Sequence, residues 1–392
     1  MSLPWLLDSA LNRHRKGREV VVYNDNPYGA TIGVQDSSPT FYLKPQAIED
    51  MRTLGMTWLR FQVPWSSIEI TQGDYSDTGA NWNIWDDAIR RCNAAGINLC
   101  LTIRHAPAFW LTQSCSQGAT LPDPQGTANF ASAIAQRYDG KHGHGQIQAL
   151  EIGNEDYDQN FSGNGMQCRD PKWLANVMRN VYPALKNKRS DLLVIMGAIL
   201  QRNAKHIRYF MDGMWEQAAG YFDIANFHFY TCIPGNGHFD PSDDSVSNVP
   251  SFPHYIDILR QSHAAHGRAN FPTWLTEFGF AINTNYGRHY PKCVTDQNTQ
   301  WNYIHYCLDQ VRASGFIQKA FLYTLKYDRT TPEHGAGTSD GMSIYQGIPG
   351  DNGFQTVAYR QLKGYIAKFS QWRLANITLP CPLPLKTRDK SL

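Results

Sequence analysis

Glu155 closes the apolar run Ala149-Leu150-Glu151-Ile152-Gly153-Asn154-Glu155, and Glu277 stands near the end of Pro272-Thr273-Trp274-Leu275-Thr276-Glu277-Phe278-Gly279. Splitting an acetal bond needs a proton for the departing oxygen and a negative group to stabilise an oxocarbenium-like centre. Two carboxyls supply both when their environments separate their proton affinities. The competing reading makes each an isolated surface acid or a helix cap. Position at the ends of two strand-like runs favours glycosidic-bond chemistry.

The elements that must hold this pair alternate along the chain. β-rich runs fall at about Thr31 to Gln35, Thr57 to Val63, Ile97 to Arg104, Ile147 to Gly153, Leu192 to Ala198, Phe222 to Phe229, Pro272 to Glu277 and Lys319 to Thr324. Helical patterns separate them: Pro45 to Leu54, Ile84 to Ala95, Asn129 to Tyr138, Trp173 to Lys186, Ala204 to Gln217, Tyr255 to His266, Gln297 to Ala313 and Gln355 to Lys368. Eight such units predict an α/β fold, a single-domain (β/α)8 TIM barrel with long loops on its C-terminal face, where active sites of this architecture sit. The divisions are an N-terminal extension over 1–30, the barrel over 31–370 and a surface tail over 371–392. An open doubly wound sheet lacks its usual glycine-rich turn, because Gly33-Val34-Gln35-Asp36 follows the first strand.

Strand alternation assigns directions to the side chains. Glu151, Gly153 and Glu155 share a face, as do Thr273, Leu275 and Glu277, and as do Asn226, His228 and Tyr230. This pattern points Trp274 toward the helices. His228 is placed to bond a sugar hydroxyl or a carboxylate, and Tyr230 to donate its phenol to a nucleophilic carboxylate and hold it ionised. Arg60, inside the second strand, needs a compensating carboxylate, and Glu277 or Glu151 would serve. Glu151 lies deeper than Glu155 and reads as a structural ion-pair partner. Trp65, Trp110, Tyr157, Trp274 and Tyr323 are candidate sugar-stacking rings, with core packing as the alternative for each.

Composition excludes several other classes. Of 392 residues, 42% are hydrophobic and 18% charged, and the net charge is +2, which points to neither a disordered chain nor a nucleic-acid surface. No apolar stretch reaches the roughly 20 residues of a membrane span. The eight cysteines show no C-x-x-C spacing and no H-E-x-x-H occurs, so no metal or cofactor is expected. Cys92, Cys100 and Cys307 read as buried thiols, while Cys115, Cys168, Cys232 and Cys293 lie in loops where disulfides are open. His142-Gly143-His144 lacks further ligands, and the loop with Asn236, His238, Asp240, Asp243 and Asp244 reads as solvated rather than calcium-binding. Gly337-Thr338-Ser339-Asp340-Gly341 matches G-x-S-x-G, yet it follows the eighth strand and no histidine comes after Ser339, so it reads as a turn. Asn160-Phe161-Ser162 and Asn376-Ile377-Thr378 fit the glycosylation pattern. Met1 to Gly17 carries an apolar patch ahead of its basic residues, the reverse of a secretory signal, so the protein either stays inside or begins after a removed leader.

Taken in order along the strands, these residues resemble the clan A glycoside hydrolases, retaining enzymes built on (β/α)8 barrels. The resemblance rests on Asn154-Glu155, His228-x-Tyr230 and Thr276-Glu277-Phe278-Gly279. Leu59-Arg60-Phe61, Ala106-Pro107-Ala108-Phe109-Trp110, Phe321-Leu322-Tyr323-Thr324-Leu325, Gly341-Met342-Ser343-Ile344-Tyr345 and Val357-Ala358-Tyr359 are similar to the family 39 branch, which includes β-xylosidase and exopolysaccharide glycosidase types. By position, it implies that Glu155 is the general acid/base, Glu277 the nucleophile and Asn154 a partner of the hydroxyl beside the reacting carbon, with Arg60 and Tyr230 flanking Glu277. It implies an oligosaccharide or polysaccharide substrate and a carboxyl separation of roughly 5–5.5 Å rather than about 8 Å. Gly153 stands where many members carry Trp, and Thr324 where relatives often place an acid. A barrel that binds glycan without cutting it, and transfer to another sugar, are the alternative functions.

Overall fold

The computed structural model describes residues 25–32, 45–114, 120–155, 170–200, 203–233, 237–238, 240–245, 249–282, 294–325, 344–346 and 354–369. Tyr157, Cys115, Cys168, Cys293, Asn236, Gly337 to Gly341, both glycosylation patterns and the tail beyond 369 lie outside the described residues.

Eight parallel strands form the central ring: β1 (Tyr28–Ile32), β2 (Trp58–Pro64), β3 (Asn98–Arg104), β4 (Ala149–Ile152), β5 (Leu193–Met196), β6 (Ala225–Phe229), β7 (Thr273–Phe278) and β8 (Ile317–Tyr323). They pair in the order β5-β4-β3-β2-β1-β8-β7-β6, and Ile199–Leu200 adds a short ninth strand beside β6. A parallel bridge from Ile195 to Ile224 joins β5 to the residue before β6, closing the barrel. Around it lie α1 (Pro45–Leu54), α2 (Asn83–Ala94), α3 (Pro124–Arg137), α4 (Pro171–Lys188), α5 (Ala204–Ala218), α6 (Phe252–Ala265), α7 (Gln297–Ser314) and α8 (Val357–Lys368). No helix among the described residues is long and apolar enough to cross a membrane.

Two boundaries move from their expected places for local reasons. α3 starts at Pro124, ahead of Asn129, because Asp123 accepts from the Gly126 amide at 2.8 Å and proline suits the first helical position. β1 begins at Tyr28 rather than Thr31, extending through Gly29, a residue that weakens a strand signal. Glycine is required there, since a Cβ would sit 2.5 Å from the Phe321 ring.

The barrel interior is layered. Trp58, Cys100, Ala149, Ile195, Ile224, Trp274 and Phe321 form an apolar plug near the strand starts, separate from the larger core between strands and helices. Two residues further along, Arg60, Thr102, Glu151, Asn226 and Thr276 form a buried polar layer. Trp274 therefore points into the barrel and not toward the helices, while Leu275 packs in the outer core. The reason is a register shift in β7 between Leu275 and Glu277, seen in its pairing with β6. Such an irregularity lets Thr276 and Glu277 both address the barrel mouth, where strict alternation would permit one of them. Cys92, Cys100 and Cys307 are buried free thiols.

His263 on α6 shows how tightly the lower end is built. Its Nδ1 accepts from the Trp215 indole at 3.1 Å and its Nε2 meets Thr273 Oγ1 at 3.0 Å, with Thr273 donating to the Phe271 carbonyl. Burial, with a smaller contribution from His266, pushes the ring down to about 3. A depressed value means that the unfolded chain takes up the proton first. Stability is full above the ordinary histidine range and falls as acidity increases toward the folded value. Urea titrations from about pH 7 to pH 4 should lose up to about 1.4 kcal/mol per pH unit through this residue. His263→Asn should flatten the slope, and an unchanged slope would remove His263 from the account.

Candidate active site

Arg60 is fully buried at the centre of the polar layer. Its Nε meets Glu151 Oε2 at 2.5 Å and Nη2 meets Glu151 Oε1 at 3.0 Å, a two-pronged pair. Nη1 reaches Glu277 Oε1 at 2.6 Å, and Nη2 also reaches Asn154 Oδ1 at 2.7 Å. The compensating carboxylate is therefore not one of the two candidates but both. Thr102 adds a hydrogen bond to Glu151 Oε2 at 2.6 Å, and Asn226 Nδ2 adds one to Oε1 at 2.6 Å, confirming Glu151 as a structural anchor.

Glu277 receives Tyr230 Oη on its other oxygen at 2.6 Å. Burial pushes its carboxyl up. The charges of Arg60 and of His228 when protonated, with hydrogen bonds from Tyr230 and Arg60, act the other way and prevail, holding it below the ordinary carboxylate range. Burial, reinforced by Glu277, raises the Tyr230 phenol well above its usual value, so it remains a donor.

Glu155 is in a different setting. It follows β4 through Gly153, whose φ of 86° is left-handed, and its own φ is 50°. A non-glycine residue in that region costs on the order of 1 kcal/mol and persists when its surroundings hold it. The hold is His228, whose Nδ1 lies 2.8 Å from Glu155 Oε1. Glycine adopts the left-handed turn at 153 without steric cost.

The two carboxyls share one gap. Ligating atoms of Glu155, His228 and Glu277 all lie within 4.8 Å of one another. Among the described residues, this is the group that could hold a cation, but Arg60 already supplies positive charge to Glu277.

Tyr323 sits beside the site, its ring perpendicular to Tyr230 at 6.2 Å. Trp110 is not joined to this network: its indole donates to Glu69 at 2.9 Å, and its ring packs on Trp65 and Phe109. Trp65 is completely buried and stacks on Phe130, so it is core. Three site residues escaped the sequence reading. Gln62 donates to Asn154 Oδ1 at 3.1 Å, Arg104 donates to Gln62 Oε1, and Thr276 bonds His228 and Asn226. Alternation from Arg60 along β2, and the last residue of β3, would have pointed to the first two. The shift in β7 concealed the third.

A closed barrel of eight strands with paired carboxyls at its strand ends is an arrangement able to cleave a glycosidic bond. The family model described as cellulase (glycosyl hydrolase family 5) matches residues 25–318, and the chain belongs to that family, within the clan A glycoside hydrolases that the motifs resemble. No match is found among curated proteins. Among solved structures, a family 39 glycoside hydrolase from the gut symbiont Bacteroides cellulosilyticus WH2 superposes with a TM-score of 0.61 at 14% identity, covering 90% of this chain and 66% of its own. The β-glycosidase BGL167 gives 0.61 at 15% identity over 91% of this chain and 99% of its own. The exo-β-1,4-mannosidase Op5Man5 from Opitutaceae bacterium strain TAV5 gives 0.61 at 16% identity, covering 88% and 60% respectively. These likenesses establish the fold, and the family makes the substrate a carbohydrate.

Removing Arg60 would strand Glu151 and Glu277 without a counter-charge. Arg60→Met should lower stability at neutral pH by about 3–5 kcal/mol, measured by urea titration. A loss below about 1 kcal/mol, the range of an exposed pair, would contradict the buried network.

Proposed function

We propose that the protein hydrolyses β-linked bonds of an oligosaccharide or polysaccharide by double displacement, with Glu277 as nucleophile and Glu155 as general acid and then base. The observation that carries this reading is the opposite treatment of two carboxyls across one short gap. Glu277 is held ionised by Arg60 and Tyr230, whereas Glu155 faces an imidazole nitrogen. Separations of about 6.5–9.5 Å leave room for a water in inverting enzymes, and about 5–5.5 Å suits direct attack. One oxygen of each carboxyl lies within 4.8 Å of the other, a closeness that supports the second kind.

In the first step a Glu277 oxygen bonds to the anomeric carbon while the glycosidic C–O bond breaks, and the Glu155 proton passes to the departing oxygen. In the second, Glu155 takes a proton from water, whose oxygen displaces Glu277. Asn154 is oriented for a supporting role. Its Oδ1 accepts from both Arg60 and Gln62, so its Nδ2 is the end left to meet the hydroxyl beside the reacting carbon. Tyr323 is the aromatic ring we assign to sugar contact.

A panel of aryl β-glycosides and polysaccharides, run with Glu155→Gln and Glu277→Gln, tests the assignment. Glu277→Gln should abolish turnover, and Glu155→Gln should lower kcat by about 10²–10⁴ on substrates with poor leaving groups. A mechanism-based sugar trap should add one sugar to the intact mass, mapped to Glu277. Tight glycan binding with no label and no turnover would support a binding barrel instead.

A further inference from the structure

A chain of hydrogen bonds runs from one carboxyl to the other by way of the polar layer, and its first member fixes all the rest. Arg60 can only donate, so Glu151 is an acceptor. Asn226 turns Nδ2 to Glu151 at 2.6 Å, which leaves its Oδ1 facing Thr276, and the Thr276 hydroxyl donates to that oxygen at 2.7 Å. A hydroxyl has one proton to give. Having directed it to Asn226, Thr276 Oγ1 meets His228 Nε2 at 2.9 Å as an acceptor, so the hydrogen lies on Nε2. Nδ1 is then the atom turned to Glu155 Oε1, 2.8 Å away.

We propose that Thr276 is a positioning residue that locks His228 as its Nε2–H form, so that Nδ1 and Glu155 Oε1 hold a single shared proton, the one delivered to the leaving group. The proposal rests on the reading of Glu155 as the acid. The opposite tautomer, with hydrogen on Nδ1 alone, would satisfy an ionised Glu155 with no additional proton, and the enzyme would meet substrate with its acid already spent. With Nε2–H fixed, an ionised Glu155 confronts a nitrogen lone pair until a further proton binds. The same repulsion serves the second step. Once the Glu155 O–H bond has broken and its proton has joined the departing oxygen, which keeps the electron pair of the cleaved C–O bond, the carboxylate is driven to take a proton from water.

Among the described residues, the other charged or titratable groups around this pair include Glu277, Tyr230, Arg60, Arg104, Tyr255 and Tyr323, the last acting on Tyr230 and Arg104. Glu277 Oε2 lies 3.6 Å from Nδ1, and Tyr230 occupies that same oxygen. Arg60 from β2 is matched by Glu151 and Glu277. Arg104 from β3 senses Glu155 and Glu277, and Tyr255 from α6 senses Glu155.

Nitrogen-15 spectra of histidine-labelled protein read the tautomer without using activity. The His228 signals are assigned by their loss in His228→Asn. Nε2 should stay protonated from about pH 5 to about pH 8. Thr276→Val, which keeps the shape and removes the acceptor, should move hydrogen from Nε2 to Nδ1. Its activity at about pH 8 relative to about pH 5 should fall about tenfold. Thr276→Ser should restore both readouts. A wild-type His228 carrying hydrogen on Nδ1 alone would overturn the proposal, as would an unaltered pH profile in a Thr276→Val protein whose circular dichroism is native. If Thr276→Val does not fold, the wild-type spectrum decides. Full activity in Glu155→Gln would instead overturn the acid assignment and leave the tautomer result standing.

Discussion

One buried guanidinium organises the centre of this molecule. Arg60 carries a charge into the barrel interior, where desolvation alone costs several kcal/mol, and the cost is offset only because Glu151 and Glu277 meet it with close hydrogen bonds. Burial opposes its ionisation, and the two carboxylates outweigh burial and bind its proton more firmly. Three strands are tied through this group: β2 supplies it, β4 supplies Glu151 and β7 supplies Glu277. The geometry of the active centre is thereby a consequence of charge balance in the core.

The layering explains how a polar site can rest on a stable barrel. An apolar plug of Trp58, Trp274 and Phe321 fills the lower interior, with edge-on ring contacts at 5.1 Å between the two indoles. Lys319 covers the Trp58 ring at 4.6 Å and pairs with Asp25, closing the bottom. Above the plug, each inward side chain of the next layer has its partners inside the barrel, which buried polar groups require. The candidate carboxyls of Glu155 and Glu277 stand on top of that layer and are hydrogen-bonded to it through His228 and Arg60.

Much of this was legible from residue order. Repeating strand and helix patterns gave the eight units, and alternation grouped Asn226 with His228 on β6, whereas Glu155 reaches the same interior as Glu151 only through the left-handed turns that follow the end of β4 at Ile152. Arg60 was readable as a charge needing a carboxylate because no barrel interior tolerates it alone. Strict alternation failed on β7: it assigned Leu275 inward and Trp274 outward, and the register shift reverses both. A shift of that kind depends on pairing with neighbouring strands, which no local pattern encodes. Trp110 illustrates another limit, since its bond to Glu69 joins segments 41 residues apart, a partnership that no local pattern announces. The family 39 motifs and the family 5 model converge on the same clan.

Attack by Glu277 and protonation by Glu155 in one step, as proposed, have a stereochemical signature. Proton NMR of the first product released from a β-glycoside, recorded before mutarotation, reports it directly. The β-anomer appearing first is the outcome that double displacement at Glu277 predicts. An α-anomer appearing first would mean a single displacement by water and would contradict the proposed pairing of Glu155 with Glu277.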